Sequence, residues 1–337
     1  MTGGDARILV PKALSAAAFA LREPSGRIAA FSGETMGTRW SARVVVPTVG
    51  ENADIGVGVQ RAFDAVVAEM STWEEASDIS RFNRAAIGAW QSLPPDFLTV
   101  LSTALRIAEV SGGAYDPTIG DLVDVWGFGP SGRSVIPPDP ETVSALLRAA
   151  GRSRVECDTL LQRARRVTPL ALDFSGIAKG FGVDRAAAWL RGRGFRHFLV
   201  EVGGELVGEG VKPDGQPWWI DIEMPPGAAL PPLRIALHGL SAATSGDYRR
   251  WFEAGGERFA HTIDPRSGRP IANGVASVTV LHPVCMEADA YATAITVLGA
   301  GEGLDFANRL GLAAHIVSRT GETWTEVMSL AFTAMLD

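Results

Sequence analysis

Three strand-like runs, at 197–202, 218–224 and 233–237, follow one another with glycine and proline turns and no helical stripe between them. Parallel neighbours need a crossover of a dozen or more residues, usually a helix, whereas antiparallel neighbours need only a turn. The order therefore predicts hairpins. Further strand-like runs at 40–46, 277–281 and 314–318 stand apart from these, with helical periodicity in the intervals. Strands in series with helices grouped elsewhere describe an α+β class, antiparallel β-sheets flanked by α-helices, and not a strict βαβ alternation.

The helical stripes are distinct. Phe63, Val66, Val67 and Met70 recur at i, i+3, i+4 and i+7, the face of an amphipathic helix. Leu98, Leu101, Leu105 and Ala108 mark a second helix, and Val143, Leu146, Leu147 and Ala150 a third. A fourth runs from about Lys179 through Val183, Ala186, Ala187 and Leu190 to a stop at Gly194. A fifth carries Ala288, Tyr291, Ala292 and Ile295 and ends near Gly299, with a shorter one over 303–310. Pro-rich pieces at 130–140 and 225–232 read as surface loops, and composition does not shift across either. A single large domain over 33–337 follows, preceded by an extension over 1–32.

Charge and sulfur narrow the chemistry. The 31 Lys and Arg against 38 Asp and Glu leave a net charge of −7, without long basic runs, which argues against nucleic acid or an anionic membrane as the main partner. Cys157 and Cys285 share no metal-ligand or framework spacing, so neither zinc nor disulfides organise the fold. No stretch approaches the roughly 20 apolar residues of a membrane span. The apolar run 13–21 resembles a short signal core, but Asp5 and Arg7 precede it and Arg22 and Glu23 follow it. That reading favours a cytoplasmic chain over an exported one, and with no Cys before Cys157 it is not a lipoprotein.

Short segments dense in Gly, Asp, Thr and Ser fall at element junctions, where binding loops tend to lie. The most suggestive is Asp173-Phe174-Ser175-Gly176-Ile177-Ala178-Lys179-Gly180, leading directly into the fourth helix. A turn at a helix start offers amides and a positive dipole end to an anion, and Lys179 there opposes the dipole unless an anion is bound. This is neither a P-loop nor a dinucleotide fingerprint. Asp289 and Thr293 stand i, i+4 on the fifth helix and project from one face, a pairing that suits a hard cation such as Mg2+ or else ordinary helix chemistry. His261 and Asp264 share a glycine-flanked turn with nearby hydroxyls and arginines. Trp126-Gly127-Phe128-Gly129 reads as packing more readily than as a platform for a planar ligand.

In order, these segments resemble the FAD:protein FMN transferase family, the ApbE-like proteins. The resemblance rests on Thr-Met-Gly-Thr at 35–38, Met-Ser-Thr-Trp at 70–73, Ala-Tyr-Asp-Pro-Thr at 114–118 and the 173–180 segment. It continues through Glu-Val-Gly-Gly-Glu at 201–205, Thr-Ser-Gly-Asp-Tyr at 244–248, the run 261–270 and Ala-Asp-Ala-Tyr-Ala-Thr at 288–293. It implies an ApbE-like single domain that moves the FMN moiety of FAD onto a Ser or Thr hydroxyl of an acceptor flavoprotein, releasing AMP, with Mg2+ as cofactor. By the same resemblance Met36, Trp73, Ala114, Tyr115, Asp116, Asp173, Lys179 and Ile263 fall at FAD-binding positions, with Trp73 and Tyr115 as stacking rings. Asp289, Thr293 and the main-chain carbonyl of Gly176 fall at metal-ligand positions. His261 and Asp247 lie in segments placed at the reacting phosphate, either of them able to take the hydroxyl proton, with Lys179 stabilising charge. An FAD pyrophosphatase giving FMN and AMP, and a non-catalytic FAD-binding protein, are the alternatives. The acidic balance fits a metal, since a bare pyrophosphate would be repelled by loops holding Asp116, Asp173, Asp247, Asp264 and Asp289.

Overall fold

The computed structural model describes residues 6–11, 19–48, 53–132 and 135–336. Among them, eight strands form one sheet: β1 (Arg27–Thr35), β2 (Thr38–Val46), β3 (Phe198–Val202), β4 (Glu205–Glu209), β5 (Leu240–Gly246), β6 (Val275–His282), β7 (Ala313–Thr320) and β8 (Thr323–Met328). Their order in space is their order in sequence, and every neighbouring pair is antiparallel. Helices α1 (Ala53–Met70), α2 (Asp78–Arg84), α3 (Pro95–Val110), α4 (Gly120–Val125), α5 (Pro140–Ala149) and α6 (Ala178–Gly192) occupy the chain between β2 and β3. Helix α7 (Cys285–Leu310) lies between β6 and β7. The α+β class with antiparallel sheet is what the turn spacing predicts.

Alternation along β2 separates two layers, because successive side chains leave a strand on opposite faces. Val44 and Val46 pack with Phe63 of α1 and Val183, Ala187 and Leu190 of α6. Val45 faces the other way, into a cluster with Leu233, Ile235, Leu237 and Trp218. That opposite layer is a small sheet of Arg7–Leu9, Leu233–Leu237 and Trp218–Asp221, in which Arg7–Leu9 runs parallel to its neighbour. The sheet thus carries helices on one face and a three-stranded cover on the other. A further core joins α3 and α7 through Phe97, Phe174, Ile295 and Phe306.

Several elements differ from the sequence reading: β4 and β8 are not marked in it, and the runs 197–202 and 218–224 fall in different sheets. β5 is likewise not marked as a strand, and its small residues have a packing reason: Ala243 is fully buried in the cluster that contains Ala288, Ala292 and Ile295 of α7. β1 begins at Arg27, ahead of residue 33, and is an edge strand whose residues are largely exposed, which hides the apolar alternation. The break near Gly299 is present, with φ 84° and ψ 173° inside α7. Asn273 Nδ2 donates to the carbonyls of Thr296 and Val297 at 2.9 and 3.2 Å, satisfying acceptors that the break frees. The apolar run 13–21 falls mostly outside the described residues. Among those described, no helix is long and apolar enough to cross a membrane.

Helices α6 and α7 touch at Gly180, where a Cβ would stand 2.4 Å from the Cys285 carbonyl oxygen and 2.9 Å from Asp289 Cβ. Backbone cannot yield as a flexible side chain can. Gly180→Ala is therefore expected to destabilise the fold by about 2–3 kcal/mol, read as a lower midpoint in denaturant at unchanged m.

Candidate functional site

The segment 173–180 folds as a turn because Asp173 Oδ1 accepts from the Ser175 amide at 2.6 Å, and Asp173 N–H donates to the Pro117 carbonyl at 2.8 Å. The second bond ties this turn to the 114–118 loop. There Asp116 Oδ1 accepts from both the amide and the hydroxyl of Thr118, at 2.9 and 2.6 Å. Both aspartates thus shape turns, and burial raises both of their pKa values.

The turn delivers Gly176 to α7. A Cβ on Gly176 would lie 2.9 Å from Thr293 Oγ1 and 3.4 Å from Tyr115 Cε2, so the glycine permits the approach. Thr293 Oγ1 is also 3.2 Å from Ser245 Oγ, at the end of β5. One turn back on α7, Asp289 is 3% exposed and its Oδ2 accepts from the Gly180 amide at 3.0 Å. Helix spacing thus sets Asp289 and Thr293 one turn apart on α7, against the 176–180 segment.

Lys179 enters from the first turn of α6 and pairs with Glu205 Oε1 at 2.6 Å. Burial works against the ammonium, but the Glu205 and Asp289 carboxylates outweigh it, and the Lys179 pKa lies above the ordinary lysine value. Burial likewise raises Glu205 and Asp289, with Lys179 opposing the rise in each. Two carboxylates share one ammonium, so the buried group carries an excess negative charge when both are ionised. Glu205 Oε2 and the Tyr115 hydroxyl are buried and find no hydrogen-bond partner among the described residues. Unpaired buried oxygens are costly, and a cation or its bound water would satisfy them. Asp289, Thr293 and the Gly176 carbonyl are hard oxygen donors, the set that Mg2+ takes while keeping sites for water and phosphate. Among the described residues no group of three or more His, Cys, Asp or Glu side chains is arranged as a metal cage. Oxygen donors of this kind fit Mg2+, which commonly fills its remaining positions with water or substrate phosphate.

His261 stands on a base of aromatic rings. Trp126 stacks on Phe259 at 5.5 Å, Phe259 on Phe252 at 5.1 Å, Phe252 meets Phe128 at 5.7 Å, and Phe128 meets His261 edge-on at 6.3 Å. Trp126 Nε1 donates to the Gly268 carbonyl at 2.8 Å, and its ring is 2% exposed, so the Trp-Gly-Phe-Gly segment is packing. His261 Nδ1 lies 3.2 Å from the Arg250 carbonyl, which assigns the proton to Nδ1 and leaves a lone pair on Nε2. Burial, then the charges of Arg250 and Lys179, lower its pKa to about 4. The imidazole is neutral at pH 7.

Asp247 has other partners. Arg258 donates to its carbonyl at 2.9 Å and approaches its Oδ2 at 3.8 Å, and Asp247, Arg258, Asn273 and Arg319 line a cavity of about 140 Å³. Tyr115 is 5% exposed, so little of its ring faces solvent. Trp73 is 57% exposed on the loop after α1. Ala114 and Ile263 are buried and offer main chain only. Met36 holds φ 49° in the two-residue turn joining β1 to β2, with Gly37 at φ 70°. Its Cε lies 3.0 Å from where a Cβ on Gly182 would be, against α6. Glu205, the partner of Lys179, is a site residue to which sequence reasoning assigned no role. Its signal is an acid immediately after the paired glycines 203–204.

The sequence profile described as the ApbE family matches residues 36–316. The chain is 36% identical over 335 residues to the FAD:protein FMN transferase of Haemophilus influenzae, covering 96% of this chain and 95% of that one. It is 32% identical over 323 residues to the protein of the same name from Escherichia coli K12, covering 92% and 89%. Among solved structures, the apo flavinyl transferase ApbE of Pseudomonas stutzeri superposes at a TM-score of 0.86 with 35% identity, covering 92% of this chain and 97% of that one. The ApbE protein of Thermotoga maritima superposes at 0.81 with 28% identity, covering 92% and 100%. With the family profile spanning most of the chain and this likeness along nearly its whole length, the chain belongs to the ApbE family.

Proposed function

We propose that this protein transfers the FMN moiety of FAD to a Ser or Thr hydroxyl of an acceptor flavoprotein, with Mg2+ as cofactor and AMP as leaving group. The observation that carries the reading is the oxygen-donor cradle of Asp289, Thr293 and Gly176, set beside the half-buried Lys179 and a neutral His261. The names of the relatives support the flavin part of it.

Asp289, Thr293 and the Gly176 carbonyl hold Mg2+, which when bound neutralises charge building on phosphate oxygens. His261 Nε2 accepts the proton of the acceptor hydroxyl as its oxygen bonds to the FMN phosphorus. The phosphorus–oxygen bond to the AMP phosphate breaks, and that oxygen leaves with the electron pair. Lys179, kept charged by its carboxylate neighbours, adds a fixed cation where negative charge develops. Asp247 is the weaker candidate for base, since its partners are arginines.

Incubation with FAD, Mg2+ and a candidate acceptor domain, followed by intact mass, tests the reading. An adduct of one FMN with one AMP released supports transfer. AMP and free FMN without an adduct would instead identify a pyrophosphatase. Trp73 is proposed to stack on a ring of FAD. Such contacts add about 0.5–1.5 kcal/mol beyond burial, and Trp73→Ala removes the buried ring area as well, so it is expected to raise the FAD Kd by roughly tenfold or more. Titration by flavin fluorescence checks this, with kcat unchanged at saturating FAD.

A further inference from the structure

Helices α6 and α7 both begin without a side-chain cap of their own. Ile177 precedes α6 and Val284 precedes α7, and neither supplies a hydrogen bond to the exposed amides of the first turn. Each helix is capped by the other. Asp184, on the second turn of α6, accepts from the Cys285 amide on Oδ1 at 3.0 Å and from the Met286 amide on Oδ2 at 2.9 Å. Asp289, on the second turn of α7, accepts from the Gly180 amide at 3.0 Å. The carboxylate of each helix thus sits on the positive end of its neighbour, and the missing Cβ of Gly180 lets the two ends meet.

The proposed cation ligands are divided between these same two elements. Gly176 precedes α6, whereas Asp289 and Thr293 ride on α7, so the cradle is only as well formed as the register of one helix on the other. Asp289 cannot both set that register and respond to a ligand without a second anchor. We propose that Asp184 is that anchor, a positioning residue that fixes the start of α7 on α6 and so holds Asp289 and Thr293 in place for the divalent cation. The inference rests on the cation site proposed above. Asp184 touches neither substrate nor ligand and acts through the helix it caps.

Groups hydrogen-bonded to a metal ligand typically contribute 10–100-fold to affinity, and the same range is expected of a group that fixes the helix carrying the ligands. Mn2+ binding to the full chain with FAD present, followed by electron paramagnetic resonance, measures this without turnover. Asp184→Ala is expected to raise the Mn2+ Kd by 10–100-fold while FAD affinity in EDTA is unchanged. Asp184→Asn, whose single carbonyl oxygen can serve one amide but whose NH2 opposes the other, is expected to fall between. In assays of transfer, both should raise the Mg2+ concentration for half-maximal rate and recover most of kcat at saturating Mg2+. That recovery separates positioning from a general loss of fold. If Asp184→Ala does not fold, Asp184→Asn alone decides. Mn2+ affinity lost in Asp289→Asn but within twofold of the parent in a folded Asp184 variant overturns this inference alone. Equal Mn2+ binding in the parent and Asp289→Asn overturns the cation site, and this inference with it.

Discussion

Asp289→Asn is expected to leave the protein folded and to lower transfer by roughly 10³-fold, since metal stabilisation of phosphate charge is worth several kcal/mol and each 1.36 kcal/mol is tenfold. The amide keeps an oxygen for the Gly180 N–H, so the cap on α6 survives while the charge proposed to hold a cation is gone. Burial raises the Asp289 pKa, so in the metal-free protein the folded state binds this proton more readily than the unfolded chain. The contribution of Asp289 to stability therefore rises as pH falls through its folded pKa and is complete below the ordinary aspartate value. Removing the charge relieves that strain at neutral pH, and the Asn variant should melt in EDTA at or above the parent. Adduct formation by intact mass across a Mg2+ series, with a thermal melt on the same samples, measures both halves. Transfer within tenfold of the parent would remove Asp289 from the cation site.

His261→Gln should lower kcat for transfer by about 10²–10⁴-fold, the range for a positioned general base, with FAD affinity retained. The Arg250 carbonyl and Phe128 hold the ring in place, so the loss falls on proton transfer. Because the folded pKa is lowered to about 4, His261 remains a base well below pH 6.5. The profile of kcat/KM should stay level from neutral pH to about one unit below the ordinary histidine value before any acid limb due to this group. Stability moves the other way: the unfolded chain takes up this proton first, so the contribution from a neutral His261 is present above pH 6.5 and is lost as pH falls from there toward the folded value. A fall in kcat/KM centred near pH 6.5 that disappears in His261→Gln would contradict the lowered pKa.

Much of the fold can be read from periodicity. The stripes through Leu101 and Val183 locate α3 and α6, and the turns between 197 and 237 announce antiparallel sheet, because burial on one face imposes a repeat that a single sequence displays. β5 escapes this reading because α7 demands small residues against it, and Ser241-Ala242-Ala243-Thr244-Ser245-Gly246 carries no apolar alternation. At the site, spacing alone brings Asp289 and Thr293 to one face of α7. The contacts of Asp184 with Cys285 and of Lys179 with Glu205 are not legible, since each joins residues on separate elements and no local pattern encodes the partner. Tyr115 shows the converse limit. Its residue type suggests a ring for stacking, but how far packing encloses that ring, 5% exposed, is set by residues distant in sequence.

The sequential order of the sheet has a kinetic consequence. β5 through β8 and the helix between them can form from contacts of modest separation, whereas β2 reaches β3 only after the whole stretch 47–197 has closed as a loop. Closure entropy is spent before such distant pairs return any stability, so this junction is expected to form late. Gly176 and Lys179 arrive with the closing segment, and Asp289 and Thr293 with the part that can form earlier. Cation and flavin binding should therefore appear in the last refolding phase, together with the β2–β3 pairing.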